Sequence, residues 1–282
     1  MGVQGTDTRE GGSGNDGRDG VSEADIMIGG LGNDGYNVDN TGDVVTELFN
    51  EGDDVVNITV DYDVPENVEV LIMQGTADLR TNGTDARDII IGNSGNNTII
   101  GAGGFDVMQG GAGDDTYAVD NAFDAVIELT GGGNDAVFAS VDYVLDPNQE
   151  IETGILTGNA VILRGDDSAN QLFGNDNVNV LEGKGGTDFL LGFGGDDSFQ
   201  ISVEANATDL DVSGDFEGAG AAGGDRLAFD ANIWGLDGIV EQLSQTSFQV
   251  SSADGSNAQQ CIIQNLEAGN AGLLEGDDYF FG

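Results

Sequence analysis

The chain has 282 residues, of which 52 are acidic and 7 basic, and it contains one cysteine and no histidine, so its net charge is −45. This charge excludes a nucleic-acid binder that works through a basic face, and it disfavours any attraction to anionic membranes. Without histidine, Ser-His-Asp catalysis and histidine- or thiolate-based zinc sites are excluded, whereas a divalent cation held by oxygen ligands suits the acidic surplus.

The N-terminal residues MGVQGTDTRE contain no apolar stretch of the kind that defines a Sec signal peptide. No apolar run in the chain approaches the roughly 18 residues that a transmembrane helix needs. The sequence therefore predicts neither Sec-dependent export nor insertion into a membrane.

A nine-residue repeat starts at Gly2 and fills three blocks of four units each, residues 2–37, 83–118 and 165–200. All twelve units begin with glycine and carry Asp or Asn at their sixth position. The eighth position is apolar in ten units, the exceptions being Arg9 and Arg18. Glycine permits a tight turn, the sixth residue offers an oxygen, and the last three residues predict a short strand whose middle side chain points inward.

One such strand cannot bury a core, so the units are predicted to stack into a solenoid with two units per turn. Sixth positions two units apart should then lie together, and we expect six or more Ca²⁺ ions, with turn carbonyls completing about 6–8 ligands each. The predicted metal-binding pairs are Asp7 with Asp25, Asp16 with Asp34, Asp88 with Asp106, Asn97 with Asp115, Asn170 with Asp188, and Asn179 with Asp197.

The segments GGLGNDGYN, GGAGDDTYA and GFGGDDSFQ resemble the nonapeptide of the RTX, or haemolysin-type calcium-binding, protein family. The resemblance implies an all-β fold, a right-handed parallel β-roll or β-solenoid with calcium in its turns. Four units lack the family's glycine at the fourth position, where they carry Glu23, Ala86, Ser168 and Asn177. The first turns of blocks one and three are therefore expected to pack, or to bind metal, least well.

Two interludes, residues 38–82 and 119–164, separate the blocks, and YNVDNTGDVVTEL at 36–48 matches YAVDNAFDAVIEL at 117–129. Their clusters of valine, isoleucine and leucine predict further solenoid strands joined by longer turns. The interlude acids are candidate additional calcium ligands, although solvated acids at strand edges are the favoured interpretation. These acids are Asp39, Asp43, Glu47, Asp120, Asp124 and Glu128.

Residues 201–282 lack the repeat and predict longer alternating strands with a short helix near 236–244, which together form a C-terminal β-rich cap over the solenoid end. The terminal LEGDDYFFG resembles the uncleaved secretion signals of type I exported RTX proteins. Domain boundaries are thus expected at 1–200 for the β-roll and 201–282 for the cap and signal. The expected location is extracellular or on the cell surface of a Gram-negative bacterium.

Mutual repulsion of the acids should keep the chain unfolded until calcium binds. No catalytic constellation is visible, so we expect no enzyme but a secreted structural protein that self-assembles into surface-layer, matrix or filament structures. The uncapped roll edge at Gly2 would pair head to tail with another subunit. Arg9 and Arg18 could meet acids of that neighbour, although exposure to solvent is the favoured interpretation. Two alternatives stay open: a calcium-dependent secretion and folding module of an RTX exoenzyme, and a small secreted carbohydrate-binding effector.

Overall fold

The computed structural model describes residues 7–147 and 149–201, together with the backbone of six further strands between residues 212 and 281. Regular structure in these residues is entirely β-strand, and no helix among them is long and apolar enough to cross a membrane. The chain divides into two compact units, residues 1–136 and 137–282. The division falls within the second interlude, so each unit contains nonapeptide blocks and interlude strands.

The first unit is a parallel β-solenoid. Its strands are β1 (Thr8–Glu10), β2 (Gly17–Asp19), β3 (Ile26–Ile28), β4 (Gly35–Val38), β5 (Val44–Thr46), β6 (Val55–Ile58), β7 (Val70–Met73), β8 (Arg80–Asn82), β9 (Ile89–Ile91), β10 (Thr98–Ile100), β11 (Val107–Gln109), β12 (Thr116–Val119) and β13 (Ala125–Ile127). Within this unit they pair in the orders β1-β3-β5, β2-β4-β6-β7-β9-β11-β13 and β8-β10-β12. Strands within the blocks pair at a spacing of 18 residues, as Arg9 with Met27 and Ile99 with Tyr117 show, which confirms two units per turn.

Strand β14 (Ala136–Ala139) spans the division, and the second unit continues the parallel solenoid pattern. Its strands are β15 (Tyr143–Val144), β16 (Thr153–Leu156), β17 (Ile162–Arg164), β18 (Gln171–Phe173), β19 (Val180–Glu182), β20 (Phe189–Leu191), β21 (Ser198–Ile201), β22 (Val212–Ser213), β23 (Arg226–Phe229), β24 (Ile239–Ser244), β25 (Ser247–Ser251), β26 (Ala258–Ile263) and β27 (Tyr279–Phe281). They pair in the orders β16-β18-β20-β22-β26-β25-β24 and β15-β17-β19-β21-β23-β27.

The C-terminal region departs from the parallel pattern, because β24 pairs antiparallel with β25, and β25 with β26. The short helix predicted near 236–244 is wrong for residues 239–244, which form β24. Valine and isoleucine at its start, followed by alternation of polar and apolar residues, suit a strand better than a helix. A capping role and a secretion signal for residues 201–282 stay predictions.

The core is built from the eighth position of the repeat, as the sequence predicts. All ten apolar residues at this position are at most 1 % exposed, and fully burying an aliphatic or methionine side chain contributes about 1.5–3 kcal/mol. Leu172 and Leu181 are fully buried, so the poor packing expected in the first turns of block three is wrong. Interlude residues such as Val56 and Leu71 continue the same buried row, which confirms the interludes as solenoid strands.

Candidate metal centres

The sixth-position residues stack in ladders along the turns, and every predicted pair is brought together. In each pair, the backbone N–H of the first residue donates a hydrogen bond to a carboxylate oxygen of the second. The N–O distances are 2.7 Å for Asp7–Asp25, 2.6 Å for Asp16–Asp34, 2.8 Å for Asp88–Asp106, 2.6 Å for Asn97–Asp115, 2.8 Å for Asn170–Asp188 and 2.7 Å for Asn179–Asp197. Asp7 and Asp16 are partly exposed, and the other ten residues are at most 2 % exposed.

The ladder uses one carboxylate oxygen and leaves the second oxygen of several buried aspartates without a hydrogen bond. This holds for Oδ2 of Asp25, Asp34, Asp106 and Asp115, and for Oδ1 of Asp88. Burying an ionised carboxylate oxygen without a partner is costly, and a hard divalent cation is the partner that a carboxylate accepts best. The residues therefore fit the Ca²⁺ that the sequence predicts, although the geometry of any ion is not part of this structure.

The glycine that opens each unit faces these oxygens. A Cβ atom added to Gly20 would lie 2.7 Å from Asp25 Oδ2, and one added to Gly101 would lie 2.9 Å from Asp106 Oδ2. Both distances are too short for a real contact, so a side chain here would displace the carboxylate. The first-position glycine therefore keeps space open beside the oxygens that lack partners.

Burial also changes the acidity of the ladder. It raises the pKa of Asp106 to about 7, with Asp124 and Asp88 adding repulsion, and it raises the pKa of Asp115 to about 7, with Glu128 and Asp135 adding to the effect. Desolvation and neighbouring negative charges both disfavour the ionised form, and a bound cation reverses both effects.

Four turns, which we call closed loops, are completed by their own side chains. They are residues 83–88, 92–97, 165–170 and 174–179. In the closed loop 92–97, the N–H of Gly95 donates to Asn93 Oδ1 at 2.7 Å and the N–H of Asn93 donates to Asn97 Oδ1 at 2.9 Å. The same two bonds recur in the other three, through Thr84 and Asp88, Asp166 and Asn170, and Asn175 and Asn179.

Five other turns, which we call open loops, have left-handed backbone at their second and fourth positions. They are residues 29–34, 101–106, 110–115, 183–188 and 192–197, and the positive φ values include 58° at Ala102, 134° at Gly104, 68° at Lys184 and 69° at Phe193. Each closed loop stacks on an open loop 18 residues later. Because the side-chain amides of Asn97, Asn170 and Asn179 donate within the protein, the unpartnered oxygens belong to aspartates.

The interludes extend the ladders with acids that the sequence interpretation undervalued. Asp25 donates its N–H to Asp43 and Asp106 donates to Asp124, both at 3.0 Å. Solvent exposure was the favoured expectation for the interlude acids; it is wrong for four of them and right for the remaining two. Asp43, Glu47, Asp124 and Glu128 are 4–6 % exposed, whereas Asp39 and Asp120 are exposed.

Asp54 and Asp135 were missed altogether. They accept the N–H groups of Asp34 and Asp115 at 2.7 Å, across 20 residues rather than 18. The two extra residues move them out of the nonapeptide register, although their matching places in the two interludes could have revealed them. Each is 1 % exposed, so both belong to the buried ladder.

The last unit of blocks one and two ends with a buried tyrosine whose hydroxyl donates to an interlude glutamate. The pairs are Tyr36 with Glu47 Oε1 and Tyr117 with Glu128 Oε1. Burial and the adjacent glutamate raise the pKa of both tyrosines above the ordinary value, so both remain neutral donors. Burial likewise raises the pKa of Glu47 and of Glu128.

Arg9 and Arg18 turn inward, which makes solvent exposure the wrong interpretation for both. Nη2 of Arg18 lies 3.0 Å from Asp16 Oδ2, and the arginine side chain is 10 % exposed. Nη2 of Arg9 lies 3.6 Å from Asp7 Oδ2 and donates to the carbonyl oxygen of Gly20 at 3.3 Å. The hydrogen bond from Arg18 lowers the pKa of Asp16. Both guanidinium groups therefore contact the oxygen types that a turn offers to a cation.

Comparison with known families finds the RTX calcium-binding nonapeptide repeat, in its four-copy form, at residues 82–117, 162–190 and 173–199. These segments cover blocks two and three, including all four closed loops and four of the five open loops. Among curated proteins, none matches the chain.

Proposed function

We propose that this chain, which carries RTX calcium-binding nonapeptide repeats, is a secreted structural protein that folds when it meets extracellular calcium and then associates with copies of itself. The repeat is a calcium-binding structural unit and is not catalytic by itself. The observation that carries the proposal is the ladder of buried aspartates whose second oxygens accept no hydrogen bond.

Calcium would act as the folding partner of the chain. The net charge of −45 opposes compaction, and each Ca²⁺ offsets two charges where carboxylates crowd. Asp25, Asp34, Asp88, Asp106 and Asp115 would hold the ions through their free oxygens, and Asp188 and Asp197 occupy equivalent places in open loops. Affinities of roughly 10⁻⁴–10⁻³ M, typical of extracellular calcium modules, would leave the chain metal-free in the cytosol and loaded outside.

Circular dichroism of the full chain tests this folding step. We expect a coil spectrum in EGTA, a β spectrum in millimolar calcium, and full reversal when EGTA is added again. An equal β content in EGTA and in calcium would contradict the proposal, because the ladder would then form without its cation.

Secretion and self-association are the finer parts of the proposal. RTX repeats are typical of proteins exported by the type I route, which supports an extracellular location. Strands β1 and β2 stand at the ends of their sheets in the described residues, and a free strand edge can pair with another chain. Because Arg9 and Arg18 already contact acids of their own chain, they lend no support to this contact.

Negative-stain microscopy with and without calcium tests the association. Calcium-dependent fibres or sheets are the expected result, since a head-to-tail contact that does not close generates open assemblies. Monodisperse monomers in calcium would contradict self-association and would favour a secretion and folding module or a carbohydrate-binding effector.

A further inference from the structure

We propose that the last unit of blocks one and two, where each block meets its interlude, holds a calcium site of a second kind, built from three side-chain carboxylates and oriented by a tyrosine. The inference rests on the proposed calcium-binding function and deepens it. It assigns ligands outside the nonapeptide repeat, namely Glu47 and Asp54 at the first site and Glu128 and Asp135 at the second.

The register of the solenoid places a glutamate where other turns have glycine. Strand β3 pairs with β5 so that Ile28 lies opposite Thr46, and the next residues in line are Gly29 and Glu47. In the regular turns the first-position glycine faces backbone, as Gly83 faces the carbonyl of Gly101. A Cβ added to Gly29 would instead collide with Glu47 Oε1, the Tyr36 hydroxyl and Asp34 Oδ2.

Three carboxylates converge at this point. One oxygen from each of Asp34, Glu47 and Asp54 lies within 4.8 Å of the other two. The residues are 2 %, 5 % and 1 % exposed. Oδ2 of Asp34, Oε2 of Glu47 and Oδ2 of Asp54 accept no hydrogen bond, and no arginine or lysine in the described residues forms an ion pair with the cluster.

Like charges at this distance repel strongly once water is excluded, so an all-carboxylate cluster needs a cation to stay ionised. The donor set contains only oxygen, and its members are hard carboxylates, which selects Ca²⁺ over metals that prefer nitrogen or sulfur. A site with three charged ligands should bind more tightly than a ladder pair, because ligand charge tunes calcium affinity.

The second site repeats the first at an offset of 81 residues. Asp115, Glu128 and Asp135 again place one oxygen each within 4.8 Å of the others, and all three are buried. Asp115 Oδ2 accepts no hydrogen bond, and a Cβ on Gly110 would collide with it, with the Tyr117 hydroxyl and with Glu128 Oε1. The recurrence of glycine, aspartate, tyrosine and glutamate in one geometry argues for a built site.

Tyrosine acts here as a positioning residue. Its hydroxyl donates to Oε1 of the glutamate, which fixes the carboxylate over the glycine. In the other apolar units the eighth position only fills the core. A hydroxyl at this position is therefore needed only where a glutamate approaches.

The test compares two full-length double variants in calcium. Glu47→Gln with Glu128→Gln keeps the shape and the tyrosine hydrogen bond but removes a charge from each cluster. Asp53→Asn with Asp114→Asn is the matched control, because these exposed acids each adjoin a cluster aspartate and carry the same charge. Equilibrium dialysis should show about two fewer calcium ions per chain, or at least about tenfold weaker binding of two ions, in the glutamine variant only.

Terbium luminescence gives a second readout that does not depend on the glutamine variant folding. Tb³⁺ replaces Ca²⁺ at oxygen sites and emits strongly when an excited tyrosine lies close by. Tyr36→Phe with Tyr117→Phe should remove most tyrosine-sensitised emission, and the control variant should retain it. Unchanged emission in the phenylalanine variant, or equal calcium binding by the glutamine and control variants, would overturn the inference. A wild-type chain that binds no calcium would instead overturn the proposed function.

Discussion

Asp106 and Asn97 occupy the same position of neighbouring units, but their side chains are satisfied differently. The Asn97 amide accepts one N–H from its own loop and donates to Asn93, so both of its polar atoms are used. Asp106 accepts one N–H through Oδ1, and its Oδ2 accepts none. The difference between an amide and a carboxylate at one position therefore decides whether a turn closes by itself or needs a cation.

Asp106→Asn should remove about one calcium ion from the chain, because it neutralises a buried ligand while keeping the oxygen that accepts the Asp88 N–H. Calcium titration followed by dialysis measures the ion count. Asp114→Asn, an exposed change in the next loop, should leave the count unchanged. If both variants bound as many ions as the wild type, Asp106 would not be a ligand.

Arg18 places a cation within a turn that otherwise depends on calcium. Arg18→Met should make protection of β2 amides as calcium-dependent as that of β11, because Asp16 then loses its ion pair. Hydrogen exchange at several calcium concentrations measures this. Arg80→Met is the control, since Arg80 is exposed and its guanidinium donates to Asn82. Equal calcium dependence of β2 protection in the wild type and the Arg18 variant would contradict the role.

At the scale of the loop, the second residue of each unit decides its class. Thr, Asn or Asp at this position accepts the N–H two residues on, which closes the turn with ordinary backbone angles. Where the second residue lacks an acceptor, as at Ala102, Lys184 and Phe193, the turn adopts left-handed backbone instead. An L-residue in that region is strained by roughly 1–2 kcal/mol.

Opposite effects of glycine at the second position would verify the two loop classes. Ala102→Gly should stabilise the calcium-loaded protein by up to about 1 kcal/mol, because it relieves left-handed strain. Asn93→Gly should destabilise it by about 1–2 kcal/mol, because the N–H of Gly95 loses its acceptor. Urea unfolding in saturating calcium measures both, and effects of equal sign would contradict the distinction.

The repeat period alone predicted the turns, the inward row of side chains and all six stacked pairs, because solenoid register repeats with the sequence. Asp54 and Asp135 escaped prediction because two extra residues in each interlude loop break that period. The inward turn of Arg18 escaped because a charged side chain at an apolar position favours solvent until the facing carboxylate is known. Which acids lack partners is a property of three-dimensional contacts and has no local sequence pattern.

For the whole molecule, charge and burial oppose each other. The ladder takes carboxylates out of water in a chain with a net charge of −45, so the folded state without metal must either protonate some of them or bear their repulsion. Protons and calcium are therefore alternative partners for the same buried oxygens. The chain should respond to acid and to calcium in ways that compete.

Acidification should partly replace calcium in the folding of this protein. The folded-state pKa of Asp106 and of Asp115 is raised to about 7, above the ordinary value of 3.8, so the stability that protonation contributes is fully present below that ordinary value and is lost as pH rises through about 7. In EGTA, β content measured by circular dichroism should therefore increase between about pH 8 and about pH 5.

In millimolar calcium the same change in pH should add no β content, because the cation already partners the carboxylates and protons only compete with it. Asp106→Asn with Asp115→Asn should weaken the pH response in EGTA, since neutral amides no longer titrate. Sedimentation at each pH separates folding from aggregation as the net charge falls. A chain that stays coil in EGTA throughout this range, or whose pH response is unchanged in the double variant, would show that protonation of these aspartates does not drive the transition.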